Sequence, residues 1–177
     1  AMLYVAEDPA HPPNFWLAHG NAPPSAHQVT RIASELVPFG ADSATPITWR
    51  ALDGDTLHGA LIYPADYQAG RRYPLLVKVY GGEDLSDDLY RFGFADHPVE
   101  NLQLFASRGY AVLLAESKLR VGTPMADLVK TILPGVDQVI EMGVADAGRV
   151  GIIGHSYGGY CALALVVQSQ RFKAAVM

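Results

Sequence analysis

The segment Gly154-His155-Ser156-Tyr157-Gly158-Gly159 gathers the chemistry of this sequence around one hydroxyl. It follows an apolar strand-like run, Val150-Gly151-Ile152-Ile153, and leads into the helix-like Tyr160-Cys161-Ala162-Leu163-Ala164. A serine on a sharp strand-to-helix turn is held above the sheet edge, and small residues two before and two after it let strand and helix approach closely. The N-terminus of the following helix then aims backbone N–H groups at any oxyanion that develops beside the serine. Ser156 is therefore the candidate nucleophile for acyl transfer. The other reading is a glycine-rich turn that only packs or cradles a phosphate. Neither G-x-G-x-x-G nor the pattern ending in Gly-Lys-Ser/Thr is present, which argues against nucleotide binding.

A second oxyanion donor is expected from the loop after an earlier strand, where glycines bring the backbone close. Val79-Tyr80-Gly81-Gly82 ends a buried strand-like run and occupies that place. Standing alone it reads as an ordinary strand-ending turn; its position relative to Ser156 makes Tyr80 a candidate donor. A phenol stays protonated below a pKa of about 10 and so gives a hydrogen bond near neutrality.

A serine nucleophile needs a base, and a third group to orient that base. Residues 157–177 contain no Asp, no Glu and no His. His155 cannot take the proton, because adjacent side chains on a strained turn point apart. The other histidines, His11, His19, His27, His58 and His97, all precede Ser156. His97, between Asp96 and Pro98 in an expected loop, reads as a solvated residue. None shows ligand spacing, so no metal site is expected. The triad is incomplete within these 177 residues.

The elements that must position these residues follow from hydrophobic periodicity. Ile47 to Ala51 and Leu57 to Tyr63 flank Asp53-Gly54-Asp55, a hairpin signal. Tyr73 to Tyr80 and Tyr110 to Ala115 read as buried strands, with a helix over roughly Val99 to Ser107 stopped by Gly109. Thr123-Pro124 reads as an N-cap and first helical residue. The stripe Val129, Ile132, Leu133, Val136, Val139, Ile140 has the helical period, and Pro134 inside it should kink or divide the helix. Arg149 to Gly154 is a strand, Tyr157 to Gln168 a nearly all-apolar helix, and Phe172 to Met177 the start of another strand. Strands alternating with helices in this way imply an α/β fold with a mostly parallel sheet covered on both faces. Residues 1 to about 45 differ. They carry six of the twelve prolines, with Pro46 at the boundary, and two short strand-like runs, Leu3 to Ala6 and Phe15 to Ala18. They hold too few apolar side chains to fold alone.

Composition bounds the function classes. Of the 177 residues half are apolar and 18% charged, which excludes general disorder. A net charge of −5 offers no footprint for nucleic acid or for an anionic membrane. The single cysteine, Cys161, rules out an internal disulfide and is compatible with the cytoplasm. No run of about 18 apolar residues and no basic-then-apolar leader is visible.

Together these residues resemble the prolyl oligopeptidase family of serine peptidases, which includes the dipeptidyl and acylaminoacyl peptidases. The resemblance runs from the Leu57 to Tyr63 strand through Arg72 to Val77 and Val79-Tyr80-Gly81-Gly82. It continues through Phe105 to Val112, Gly135-Val136-Asp137, Arg149-Val150-Gly151, the Ser156 turn and Arg171 to Val176. It implies an α/β-hydrolase fold, Ser156 as nucleophile, and an oxyanion hole from the Tyr80 hydroxyl and the Tyr157 N–H. It also implies that residues 1–45 are the end of a β-propeller plus linker and that 46–177 are the N-terminal portion of the catalytic domain, cut short after the nucleophile. Where many members carry an Arg-Gly-Ser and Gly-Tyr-Gly segment, this chain has Glu116 to Pro124. Two expectations result: part of a peptidase acting on a peptide or ester without a cofactor, or a non-enzymatic remnant that binds a partner chain or itself.

Overall fold

The computed structural model of the chain describes residues 1–20, 25–39, 44–93 and 101–177. At the N-terminus, β1 (Met2–Asp8), β2 (His11–His19) and β3 (Ser25–Gln28) form an antiparallel meander, with Leu3 opposite Leu17 and Leu17 opposite His27. A 3-10 turn, Ser34–Phe39, comes next. In this part Pro12 and Ala18 are the buried apolar residues among those described, and the buried Asn14 is held by Thr30 and the backbone of Ile32. The Phe92 N–H donates to the Glu7 carboxylate at 3.0 Å, tying the meander to the larger part of the chain.

The second sheet contains β4 (Ala44–Arg50), β5 (Thr56–Ile62), β6 (Tyr73–Val79), β7 (Ala111–Ala115), β8 (Ala145–Ile153) and β9 (Ala174–Val176). Its spatial order is β4-β5-β7-β6-β8-β9. The β4–β5 and β5–β7 pairings are antiparallel, and the remaining three are parallel. The hairpin expected at Asp53-Gly54-Asp55 forms, with Arg50 opposite Thr56 and Gly54 at φ +93°. Every residue of β7 is buried, as an inner parallel strand requires.

Among the described residues three helices cover this sheet: α1 (Leu102–Ala106), α2 (Pro124–Glu141) and α3 (Tyr157–Gln168). One face packs Leu57, Val77, Leu113 and Ile152 against α2 and α3; the other packs Ile62, Val112 and Leu114 against Leu102 and Ala106 of α1. Leu128, Ile132, Val136 and Val139 of α2 are all fully buried, worth about 1.5–3 kcal/mol each relative to exposure.

Three expectations change. The helix expected over Val99–Ser107 is only five residues long, capped by the Asn101 side chain accepting from Leu104 N–H, and Val99 lies outside the described residues. Thr123 precedes α2 but makes no side-chain cap; its hydroxyl donates instead to Asp127. Pro134 does not divide α2, which runs unbroken from residue 124 to 141. Proline lacks an N–H, so the Lys130 carbonyl one turn back loses its helical donor. The Leu52 N–H, from the hairpin loop, takes that carbonyl at 3.0 Å, and the Trp49 indole donates to the neighbouring Thr131 carbonyl at 2.8 Å. Gly135 completes the seat, since a methyl there would stand 2.8 Å from the indole.

Candidate active site

Strand β8 ends at Ile153 and α3 begins at Tyr157, so Ser156 occupies the turn between them. Its backbone is at φ 55°, ψ −120°, a conformation that costs a non-glycine residue about 1–3 kcal/mol and persists only where packing dictates it. The packing is visible on both sides. A methyl on Gly154 would collide with the Gly158 backbone, and one on Gly158 with the Val79 carbonyl oxygen. Hydrogen bonds close the turn: Gly158 N–H to the His155 carbonyl at 2.8 Å and Gly159 N–H to the Ser156 carbonyl at 2.9 Å. The Gly154 N–H reaches the Val176 carbonyl of β9 at 3.1 Å. Ser156 itself is exposed.

Parallel pairing of β6 with β8 sets Lys78 opposite Ile153, so the residues following both strands emerge at the same edge. This brings Tyr80 beside Tyr157, ring edge to face at a centroid distance of 6.2 Å, and Tyr160 stacks on Tyr157 at 5.4 Å. Desolvation, reinforced by Cys161 and Tyr160, holds the Tyr157 hydroxyl above the usual phenol range. After Tyr80 the chain makes a four-residue turn: Glu83 N–H donates to the Tyr80 carbonyl at 3.3 Å, with Gly82 at φ +81°. That positive φ at the third position is the mark of a type II turn. Gly81 is tightly packed: a methyl there would meet the Tyr157 and Leu119 side chains and the Cys161 sulfur at 2.6–2.8 Å and would have to displace them. Burial pushes the Cys161 thiol up, against an opposing hydrogen bond from the Gly81 backbone.

Sequence reasoning missed Ser117, two residues past β7. Its hydroxyl donates to the Tyr80 carbonyl at 3.0 Å and accepts from the Gly82 N–H at 3.1 Å. A lone serine after a strand carries no spacing signature, so only the fold reveals it. The segment after Ser117 is anchored by Arg120, whose N–H and guanidinium bind the buried Asp127 carboxylate, the latter at 2.7 Å. Those bonds hold Asp127 well below the usual carboxylate range. Arg120 also reaches Asp53 at 3.3 Å, and Lys118 pairs with Asp55 at 3.7 Å. These residues line a cleft of about 470 Å³ beside the Tyr80 turn.

Apart from His155 in the turn itself, the described histidines are placed elsewhere. His11, His19 and His27 lie in the N-terminal meander, and the backbone of His58 in β5 donates to Glu116. His97 lies outside the described residues. Among the described residues no cluster suited to a metal occurs.

Residues 122–177, which contain the Ser156 turn, match the sequence model of the prolyl oligopeptidase family. Over that stretch the chain is similar to that family. Mouse dipeptidyl peptidase 8 is 31% identical over 157 residues, covering 76% of this chain and 17% of that protein. The Bacillus subtilis peptidase YuxL is 28% identical over 142 residues, covering 73% of this chain and 20% of that protein. Among solved structures, Pyrococcus horikoshii acylaminoacyl peptidase superposes with a TM-score of 0.73 at 25% identity, over 98% of this chain and 28% of that one. The fold is therefore that of the α/β-hydrolase peptidases. The chain spans about a fifth of the length of the curated relatives it matches.

Proposed function

We propose that this chain forms the nucleophile-bearing part of a serine peptidase, hydrolysing peptide or related acyl bonds. The observation that carries this reading is Ser156 exposed at φ 55° on a turn whose flanking glycines touch backbone on both sides. In the proposed reaction Ser156 Oγ attacks the carbonyl carbon and gives its proton to a histidine. Negative charge on the carbonyl oxygen is met by the Tyr157 N–H and the Tyr80 hydroxyl. The histidine passes the proton to the leaving amine or alcohol, and water then releases the acyl group from Ser156. Residues 157–177 contain no Asp, Glu or His, so neither the base nor its orienting acid lies in that stretch. Residues 1–45 are, in this reading, the end of a β-propeller, which the antiparallel β1–β3 meander supports.

A second reading, a hydrolase-like chain that binds a partner or itself, is favoured by one observation. Leu163 and Val167 of α3 are 50% and 65% exposed, and Val176 and Met177 are 60% and 62% exposed. The deciding experiment compares activated-ester and chromogenic-peptide turnover by the intact protein, the 177-residue chain and their Ser156→Ala forms. Serine-dependent turnover by the intact protein, with none by the short chain, is expected. Turnover that survives Ser156→Ala overturns the first reading.

A further inference from the structure

We infer that Ser117 is a positioning residue for the oxyanion site, holding Tyr80 at the angle the transition state requires; this rests on the serine-peptidase reading above. The roles of its hydroxyl are not interchangeable. The Gly82 N–H can only donate and the Tyr80 carbonyl can only accept, so the Ser117 proton must point at Tyr80 while the oxygen lone pair faces Gly82. Ser117 is itself fixed. Its N–H donates to the Glu83 carbonyl at 3.1 Å, and the single Gly82 N–H is shared between its hydroxyl and its carbonyl, each at 3.1 Å, so Ser117 touches the turn at Tyr80, Gly82 and Glu83. Ser117 itself is 1% exposed, which holds its hydroxyl against these partners. Behind it the chain is anchored through Arg120 to Asp127 on α2.

Removal of the hydroxyl leaves the Tyr80 carbonyl with the longer 3.3 Å bond from Glu83 and frees the peptide plane that aims the phenol. A looser aim weakens a bond that forms fully only as charge develops, so the loss falls on kcat and spares KM.

The test is a double-mutant cycle in the intact protein, with Ser117→Ala, Tyr80→Phe, the double variant and Ser156→Ala assayed on one chromogenic substrate. Ser117→Ala is expected to lower kcat about tenfold, the scale of one hydrogen bond. KM should stay nearly constant, and in the Tyr80→Phe background the loss should shrink to about twofold or less, because the serine acts through the tyrosine. If the alanine variant does not fold, Ser117→Cys keeps the volume with a weak donor and takes its place. An undiminished loss in the double variant, a loss confined to KM, or no loss overturns the proposal while the serine reading stands. Turnover that survives Ser156→Ala overturns both.

Discussion

At the end of β8 the chain turns against backbone: Gly154 and Gly158 leave no room for a methyl, and the Val79 carbonyl is the wall. At the end of β6, one strand away, it turns against polar groups: the Ser117 hydroxyl, the Glu83 N–H and, further back, the Arg120–Asp127 pair. The first turn is held by backbone packing and backbone hydrogen bonds, which salt and pH do not touch. The second is also tightly packed at Gly81, but behind its hydrogen bonds stands the Arg120–Asp127 charge pair, which they do touch. In the proposed reaction Ser156 must stay at one point in every step, whereas Tyr80 is required only as charge appears. The two modes of support match those two demands.

The largest effect is expected where volume rules. Gly158→Ala should destabilise the protein by about 3 kcal/mol, the upper range for overpacking. It should also bring turnover in the intact protein down to the Ser156→Ala level, a loss on the order of 10⁴–10⁶. Calorimetry and steady-state kinetics on the same preparation check it; retained activity would mean that the elbow tolerates a side chain and that the contrast is false.

Next comes Tyr80→Phe, expected to lower kcat by roughly 10²–10³ with little change in KM or melting temperature, as for loss of one oxyanion donor. An unchanged kcat would leave the site with backbone donors only.

Acid should then separate the two turns. The folded-state pKa of Asp127 is depressed, so its stabilisation is complete above the unfolded carboxylate pKa of about 4 and is lost progressively as pH falls below it. Asp127→Asn should therefore be less stable than the wild type at pH 7 and nearly equal to it in strong acid, read by chemical denaturation across pH. A constant difference at all pH values would show that the carboxylate charge does not hold this side.

The smallest effect concerns Cys161 under Gly81. Its buried thiol, shifted upward, should react with an aromatic disulfide reagent only after denaturation. Prompt labelling of the native chain would mean that the floor of the Tyr80 turn opens readily.

Much of this was legible in the residues themselves. The Ser156 turn announces itself because a strand-to-helix turn this sharp needs small neighbours at fixed offsets, and β6 and β7 announce themselves because burial makes continuous apolar runs, whereas α3 is apolar yet leaves Leu163 and Val167 exposed. What could not be read depends on contacts between distant segments. Ser117 has meaning only once β7 lies beside β6, and Thr123 looks like a cap until Asp127 claims its hydroxyl. Pro134 looked like a break because the sequence does not show that Leu52 and Trp49 take the carbonyls it affects.

That last seat has a consequence for the order of events during synthesis. Trp49 and its acceptor Thr131 are 82 residues apart, and ribosomes add about 5–20 residues per second, so the β4–β5 hairpin waits some 4–16 s before its landing place is made. During that interval the indole and the Leu52 N–H have only water or a chaperone for company. A proline that would weaken an isolated helix thus serves as the address at which the earliest hairpin of the large sheet is received.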